Sequence, residues 1–302
     1  MEKSANIKSW ISAFRLRTLP LALASIGMGS FLAASVQRFN MAIFVLCATT
    51  TICLQILSNL ANDYGDSVNG ADHEQRQGPS RAVQAGHISA EAMKRGIVIF
   101  VVLSLLSGIY LLYIALGWNL KTFLFFLATG LGAILAAMAY TIGKKPYGYI
   151  GLGDLSVLLF FGIVGVIGSF YLYTGLISWQ YLFPALSCGL FSMAVLNVNN
   201  IRDIASDKLA GKMSIPVRIG RKKAVIYHWV LLITGLLAAL VFTFLNFNSY
   251  FQLLFLITVP LLLKNGIAVA KNTAPRHLDP YLKQMALTTL LFVLTFGFGL
   301  LI

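Results

Sequence analysis

Apolar residues run along this chain in long unbroken stretches, with the polar residues gathered into the gaps between them. Nine stretches can be drawn, at 18–36, 41–61, 95–117, 120–142, 150–173, 181–201, 223–246, 249–270 and 283–302. Each reaches or nears the roughly 20 residues that a helix needs to cross a bilayer. The stretches do not alternate polar with apolar side chains, so they do not read as strands of a membrane barrel. The pattern predicts an all-α, multi-pass membrane protein of nine transmembrane helices, folded as one domain over 1–302. The first fifteen residues are polar and basic. No small-residue cleavage site is evident in the first apolar stretch, so no cleavable signal peptide is expected.

Composition agrees with this picture. Of 302 residues, 58% are hydrophobic and 11% charged, against about 25% charged in a soluble domain. Mean hydropathy is +0.80. The formal charge of +13 does not point to nucleic acid, because basic residues in membrane proteins report orientation. With the N-terminus in the cytoplasm, the outer loops hold only Arg38 and Lys121 of the 23 Lys and Arg. All ten Asp and Glu also fall at or near the inner side. The outer connections are short, and those at 62–94, 202–222 and 271–282 are long. The expectation is a bacterial-type inner (plasma) membrane protein whose chemistry faces the cytoplasm. Cys47, Cys53 and Cys188 lie inside apolar stretches, without metal-ligand spacing, and read as core residues.

The acidic residues carry the chemistry. Asn62-Asp63-Tyr64-Gly65-Asp66 closes the second stretch, and Asn199-Asn200-Ile201-Arg202-Asp203, followed by Asp207, closes the sixth. Asp63 and Asp66 are three apart, and Asp203 and Asp207 four apart, so each pair shares a helix face. Four carboxylates around one space repel one another unless divalent cations lie between them. Mg²⁺ binds through one or two carboxylates together with substrate phosphates. The reading is a metal–diphosphate site at the membrane edge, with Asp63, Asp66, Asp203 and Asp207 as ligands, Asp72 as a further ligand, and Asn62, Asn199 or Asn200 as neutral oxygens. The bland alternative is a set of solvated carboxylates at helix ends. The two acidic ends also resemble each other, and stretches two and six would be equivalent in a bundle of two similar halves.

Basic residues lie close by in the sequence: Arg81, Lys144, Lys145, Arg202, Lys208, Lys212 and Arg218. A diphosphate leaving group needs such charges in the transition state, and the alternative is orientation alone, which suffices for Arg221, Lys222 and Lys223. Tyr64, Tyr140, Tyr147, Tyr149 and Asp154 gather around the inner loops. Interfacial tyrosines anchor helices or enclose a cation through their ring faces, and Asp154 beside Gly148, Gly151 and Gly153 does not fit an anchor. His73, His87, His228 and His277 lack metal-ligand spacing. The glycine runs at 130–133 and 162–168 read as surfaces where helices pack closely.

At these residues the chain resembles the UbiA-type membrane prenyltransferases. The likeness is carried by Asn62 through Asp66, Gly78-Pro79-Ser80-Arg81-Ala82, Tyr140 through Lys144, and Asn200 through Asp207. Arg15-Leu16-Arg17-Thr18-Leu19-Pro20 and Leu278-Asp279-Pro280-Tyr281-Leu282-Lys283 resemble the branch that prenylates 1,4-dihydroxy-2-naphthoate more than the 4-hydroxybenzoate branch. The resemblance implies a nine-helix bundle around a central cavity, open to lipid and capped by cytoplasmic loops. It implies Mg²⁺ and a polyprenyl diphosphate at the two acidic motifs, with Arg81 and Lys144 near the diphosphate and Arg17, Lys145, Arg202, Lys208 and Lys212 as further basic candidates. Asp154 stands where that branch often has Glu, and Asp72 lies a residue or two beyond the usual third acid.

The reaction so implied is electrophilic aromatic substitution: the allylic C–O bond loosens, aromatic residues such as Tyr140 shield the cation, and the naphthoate ring attacks with loss of CO₂ and diphosphate. Two other classes compete. A transporter of an anionic solute also places acids in the membrane, but near its midplane. A membrane phosphotransferase needs its acids in one contiguous motif, whereas these lie about 140 residues apart.

Overall fold

Local signals start and stop the helices where the polar gaps fall. The computed structural model describes residues 6–69, 81–117 and 119–302. Asn6 caps α1 (Ile7–Phe14) by accepting from the Lys8 N–H. Arg15 then takes the left-handed conformation at φ +48°, uncommon for a non-glycine residue, and turns the chain into α2 (Leu19–Ser35) with Pro20 in its first turn. Asn40 caps α3 (Met41–Val68), Ser89 caps α4 (Ala90–Leu116) and Asn119 caps α5 (Leu120–Ala139), each side chain accepting from backbone N–H groups that the helix itself leaves unpaired.

The fifth crossing is continuous but not uniform. Short α6 (Gly153–Val157) passes into an 11-residue π-helical stretch, Leu158–Gly168, and then α7 (Ser169–Thr174). α8 (Leu182–Arg202) leads through a break at Asp203 into α9 (Ile204–Leu209). α10 (Ile215–Leu245) bends at Gly220, φ +75°. α11 (Val259–Lys271) and α12 (Asp279–Leu301) close the chain. Among the described residues nine helical spans are long and apolar enough to cross a membrane. They match the nine stretches drawn from the sequence, and the protein is an integral membrane protein.

Two ends differ usefully from the sequence reading. The second stretch was expected to stop at 61, yet α3 continues to Val68, so Asn62, Asp63 and Asp66 lie on its last turns. Their side chains find tertiary partners, which overrides the low helix propensity of Asn and Asp. The seventh stretch was drawn from 223, but α10 starts at Ile215 with Pro216 in its first turn, so its charged residues 218–223 are helical.

The largest core lies where α8, α10 and α12 meet. Phe191, Phe242, Phe255, Phe292 and Phe296 are nearly or fully inaccessible there. Phe191 and Phe292 meet edge to face at 4.9 Å, the arrangement that aromatic quadrupoles favour. A second core joins α3 and α4 through Leu57, Leu60 and Met93. The glycines at 162–168 act as expected: a Cβ at Gly162 would lie 2.9 Å from the Ala185 carbonyl on α8. Those at 130–133 do not. Nothing lies within 4 Å of where a Cβ would stand at Gly130 or Gly132, and Gly130 lines a cavity instead.

α2 packs closely on α12 at Gly297, where an added Cβ would fall 2.1 Å from the Phe31 ring. Gly297→Leu should therefore cost about 1–3 kcal/mol through overpacking, lowering the thermal midpoint of the detergent-solubilised protein, whereas Gly130→Ala should stay within about 0.5 kcal/mol.

Candidate functional site

The last turns of α3 set the first half of the site. Gly65 lets α3 approach residue 141 closely, since a Cβ there would meet the Thr141 hydroxyl at 2.5 Å. Thr141 donates to the Ala61 carbonyl at 3.0 Å and to Asn62 Oδ1 at 3.2 Å, which fixes the Asn62 amide. Asp66, 2% exposed, accepts from the Tyr149 hydroxyl at 2.8 Å and pairs with Arg81. Arg81 also donates to the Asn62 carbonyl at 2.7 Å. Asp63 faces elsewhere and accepts from the backbone N–H groups of Ala82 and Val83.

The loop from 140 to 153 wraps Tyr140. A Cβ at Gly148 would meet the Tyr140 carbonyl at 2.6 Å, and one at Gly153 would meet its hydroxyl at 3.1 Å. This close approach explains the glycines there. Tyr140 and Tyr147 meet edge to face at 5.3 Å. Burial raises the Tyr140 pKa, so its hydroxyl stays protonated.

The second half comes from the end of α8 through α9. Lys212 is 7% exposed and stands 3.7 Å from Asp207. Burial opposes its charge, but the Tyr140 oxygen and the Asp207 and Asp66 carboxylates around it favour the ammonium, so its pKa lies above the ordinary lysine value. Lys212 thus joins the two acidic motifs, with its ammonium also 6.0 Å from the centre of the Tyr149 ring. Arg202, buried, donates from Nε and Nη2 to both oxygens of Asp203, from Nη2 to Asn199 and from Nη1 to Asp279 at 2.6 Å. It braces Asp203. Asp279 in turn stands 3.5 Å from Arg17.

A cavity of about 480 Å³ runs beside α3 from Cys47 to Asp66, roughly 28 Å at 1.5 Å per residue. Its wall is mainly apolar, with leucine, isoleucine and phenylalanine side chains among small residues such as alanine, glycine and serine. Asn62, Asp66, Arg81, Tyr140, Tyr147, Asn199 and Lys212 line it as well, as do Arg15, Arg17, Asn59 and Lys283. Asp154 is buried, accepts from the Tyr227 hydroxyl at 3.0 Å and does not border this space. Lys144 and Lys145 are exposed and line a separate cleft of about 390 Å³ with Tyr149 and Arg218. Lys208 is exposed. Asp72, Glu74 and Gly78 through Ser80 lie outside the described residues.

The donors suit a hard cation. Among the described residues no three His, Cys, Asp or Glu side chains cluster tightly enough to hold an ion unaided. The polar groups at both motifs are nevertheless carboxylate and amide oxygens. Asn200 Oδ1 is buried without a hydrogen-bond partner, as a neutral oxygen ligand would be. One or two carboxylates at a time, completed by phosphate oxygens, is how Mg²⁺ is ordinarily bound.

The sequence profile of the UbiA prenyltransferase family matches residues 22–290. The chain belongs to the UbiA prenyltransferase family. It is 47% identical over 299 residues to the 1,4-dihydroxy-2-naphthoate octaprenyltransferase of Haemophilus influenzae, spanning 98% of this chain and 97% of that one. The enzyme of that name from Escherichia coli is 43% identical, spanning 97% and 96%. A UbiA homolog from Archaeoglobus fulgidus, solved with GPP and Mg²⁺, shares the fold at TM-score 0.65 and 16% identity, covering 97% of this chain and 99% of that one.

In this UbiA-family chain, sequence reasoning overlooked how Asp279, Asn59, Arg15 and Lys283 join the site. Asn59 donates to the Phe14 carbonyl and the Thr18 hydroxyl, pinning the turn that carries Arg15 and Arg17. The signal for Asp279 was present: an acid beside Pro280 marks a helix start, where it faces a basic residue brought from far away in the chain.

Removing Arg202 would leave Asp203 buried without its counter-ion. Arg202→Ala should destabilise the protein by about 3–5 kcal/mol, read as thermal unfolding in detergent, with Arg202→Lys losing less because it keeps the charge but not the fork.

Proposed function

We propose that this chain transfers a polyprenyl group from a polyprenyl diphosphate to 1,4-dihydroxy-2-naphthoate, with Mg²⁺, releasing CO₂ and diphosphate. The observation that carries the reading is one cavity with two chemistries: an apolar length beside the middle of α3, and Asp66, Arg81 and Lys212 at the α3 terminus. The names of the full-length relatives support the acceptor, and the Mg²⁺-bound UbiA homolog supports the cofactor.

The apolar length takes the isoprenoid tail, whose transfer from water is favoured by about 0.8 kcal/mol per CH₂. Arg81 and Lys212 are already charged and already held, so they stabilise the leaving diphosphate without reorganising as charge develops. Asp66 and the Asn62 amide, which border the cavity, would hold Mg²⁺, with Asp203, Asp207 and Asn200 of the second motif, which do not border it, as further oxygen ligands. Bound there, it supplies Lewis-acid neutralisation of the diphosphate. The Tyr140 and Tyr147 rings border the cavity and offer ring faces to the allylic cation. Tyr140, as a neutral phenol, donates hydrogen bonds and does not act as a base. The ring carbon that bears the carboxylate then bonds to the allylic carbon, and the diphosphate leaves with the C–O electron pair. CO₂ departs as the ring regains aromaticity.

The same reading sets the orientation. The site lies on the side that carries 21 of the 23 Lys and Arg, which is the cytoplasmic side of a bacterial-type inner membrane under the positive-inside rule. The chain acts as one prenyltransferase domain over 1–302, capped by its inner loops.

Purified protein incubated with Mg²⁺, a polyprenyl diphosphate and a panel of aromatic acids should give a product whose mass equals naphthoate plus prenyl minus CO₂. Chelator in excess should stop it, and Mn²⁺ or Mg²⁺ should restore it. Prenylation of 4-hydroxybenzoate with the naphthoate untouched would refute the acceptor, and full turnover in chelator would refute the metal.

A further inference from the structure

Asp63 and Asp66 are three residues apart at the end of α3, a spacing that puts both on one face. The structure gives them different surroundings. Asp66 borders the cavity with Asn62 and Arg81. Asp63 is 1% exposed and is not part of the cavity wall. Each of its oxygens accepts from one backbone N–H: Oδ2 from Ala82 at 3.1 Å and Oδ1 from Val83 at 3.2 Å.

These two N–H groups directly follow Arg81. They belong to a built turn, in which Ala85 N–H donates to the Arg81 carbonyl and those of His87 and Ile88 donate to the Ala82 carbonyl. Ala82 and Ile88 are buried against the core of α3 and α4. Arg81 is presented from the start of this turn to the Asn62 carbonyl and the Asp66 carboxylate.

We propose that Asp63 is a positioning residue that clamps the Ala82–Val83 turn onto α3 so that Arg81 meets Asp66, and that it is not a metal ligand. A carboxylate is the one side chain of this size that accepts through both its atoms. Its bonds to N–H groups are charge-assisted and correspondingly strong. Asparagine has the same shape but turns an NH₂ toward one of the two donors, so Asp63→Asn keeps the volume and breaks the clamp. The inference rests on reading the cavity as a Mg²⁺–diphosphate site, because that reading gives Arg81 its task.

Two measurements on purified full-length protein test it. The first is trypsin cleavage between Arg81 and Ala82, mapped by mass. It should accelerate about tenfold in Asp63→Asn, the scale of a lost charge-assisted hydrogen bond, while cleavage after Lys94 stays at the parent rate. The second is calorimetric titration with inorganic diphosphate and Mg²⁺. Asp63→Asn and Arg81→Ala should each weaken binding about tenfold, and the double variant should bind no more weakly than Arg81→Ala alone, because the two residues act as one unit. Losses that multiply, an unchanged cleavage rate, or a weakened affinity for Mg²⁺ alone in Asp63→Asn would overturn the inference. If the parent protein does not bind Mg²⁺–diphosphate, the reading of the site fails, and the trypsin result still decides whether Asp63 clamps the turn.

Discussion

A buried ammonium holds the two halves of this site together. Lys212 has little contact with solvent, and taking a charge out of water is costly unless opposite charges are close. Asp207 from the second motif and Asp66 from the first both face it, so α3 and the segment after α8 must meet. Arg81 and Arg202 repeat the device on each side, one pairing with Asp66 and the other bracing Asp203. The outcome is a set of acids held apart by cations, poised for a ligand that brings both a metal and negative charge.

This arrangement also explains why the charges lie at one face of the membrane while the cavity extends beside the transmembrane length of α3. The charged groups gather at the α3 terminus, where a diphosphate and a polar acceptor would meet. The apolar length of the cavity suits a tail that has no place in water. Between them stand the rings of Tyr140 and Tyr147, held by a loop whose glycines exist to let it close over Tyr140.

The helical spans were legible because length and hydropathy nearly determine them. The two acidic motifs were legible because carboxylates at apolar helix ends have few reasons to be there. What each charged residue touches was not legible. Spacing placed Asp63 and Asp66 on one face, yet their partners come from residues 81–83 and 149, whose approach depends on tertiary packing. Arg202 and Lys212 looked equivalent as basic residues near a motif. Arg202 is fully engaged by Asp203, Asn199 and Asp279, whereas Lys212 faces the cavity. Lys144 and Lys145 sit one loop away in sequence but border a different cleft. The extension of α3 to Val68 also escaped the reading, because Asn and Asp are poor helix formers until side chains such as Thr141 and Arg81 satisfy them.

Asp66 is the point where the cavity meets its charges. The most direct measurement is the initial prenylation rate of Asp66→Asn beside that of Lys222→Ala, with helical content checked for both. Asp66→Asn should lose at least ~100-fold, the scale of a lost electrostatic contact to a transition state, in a protein that remains folded, and Lys222→Ala should keep a near-parent rate. A folded Asp66→Asn protein that turns over at the parent rate would contradict this role for Asp66.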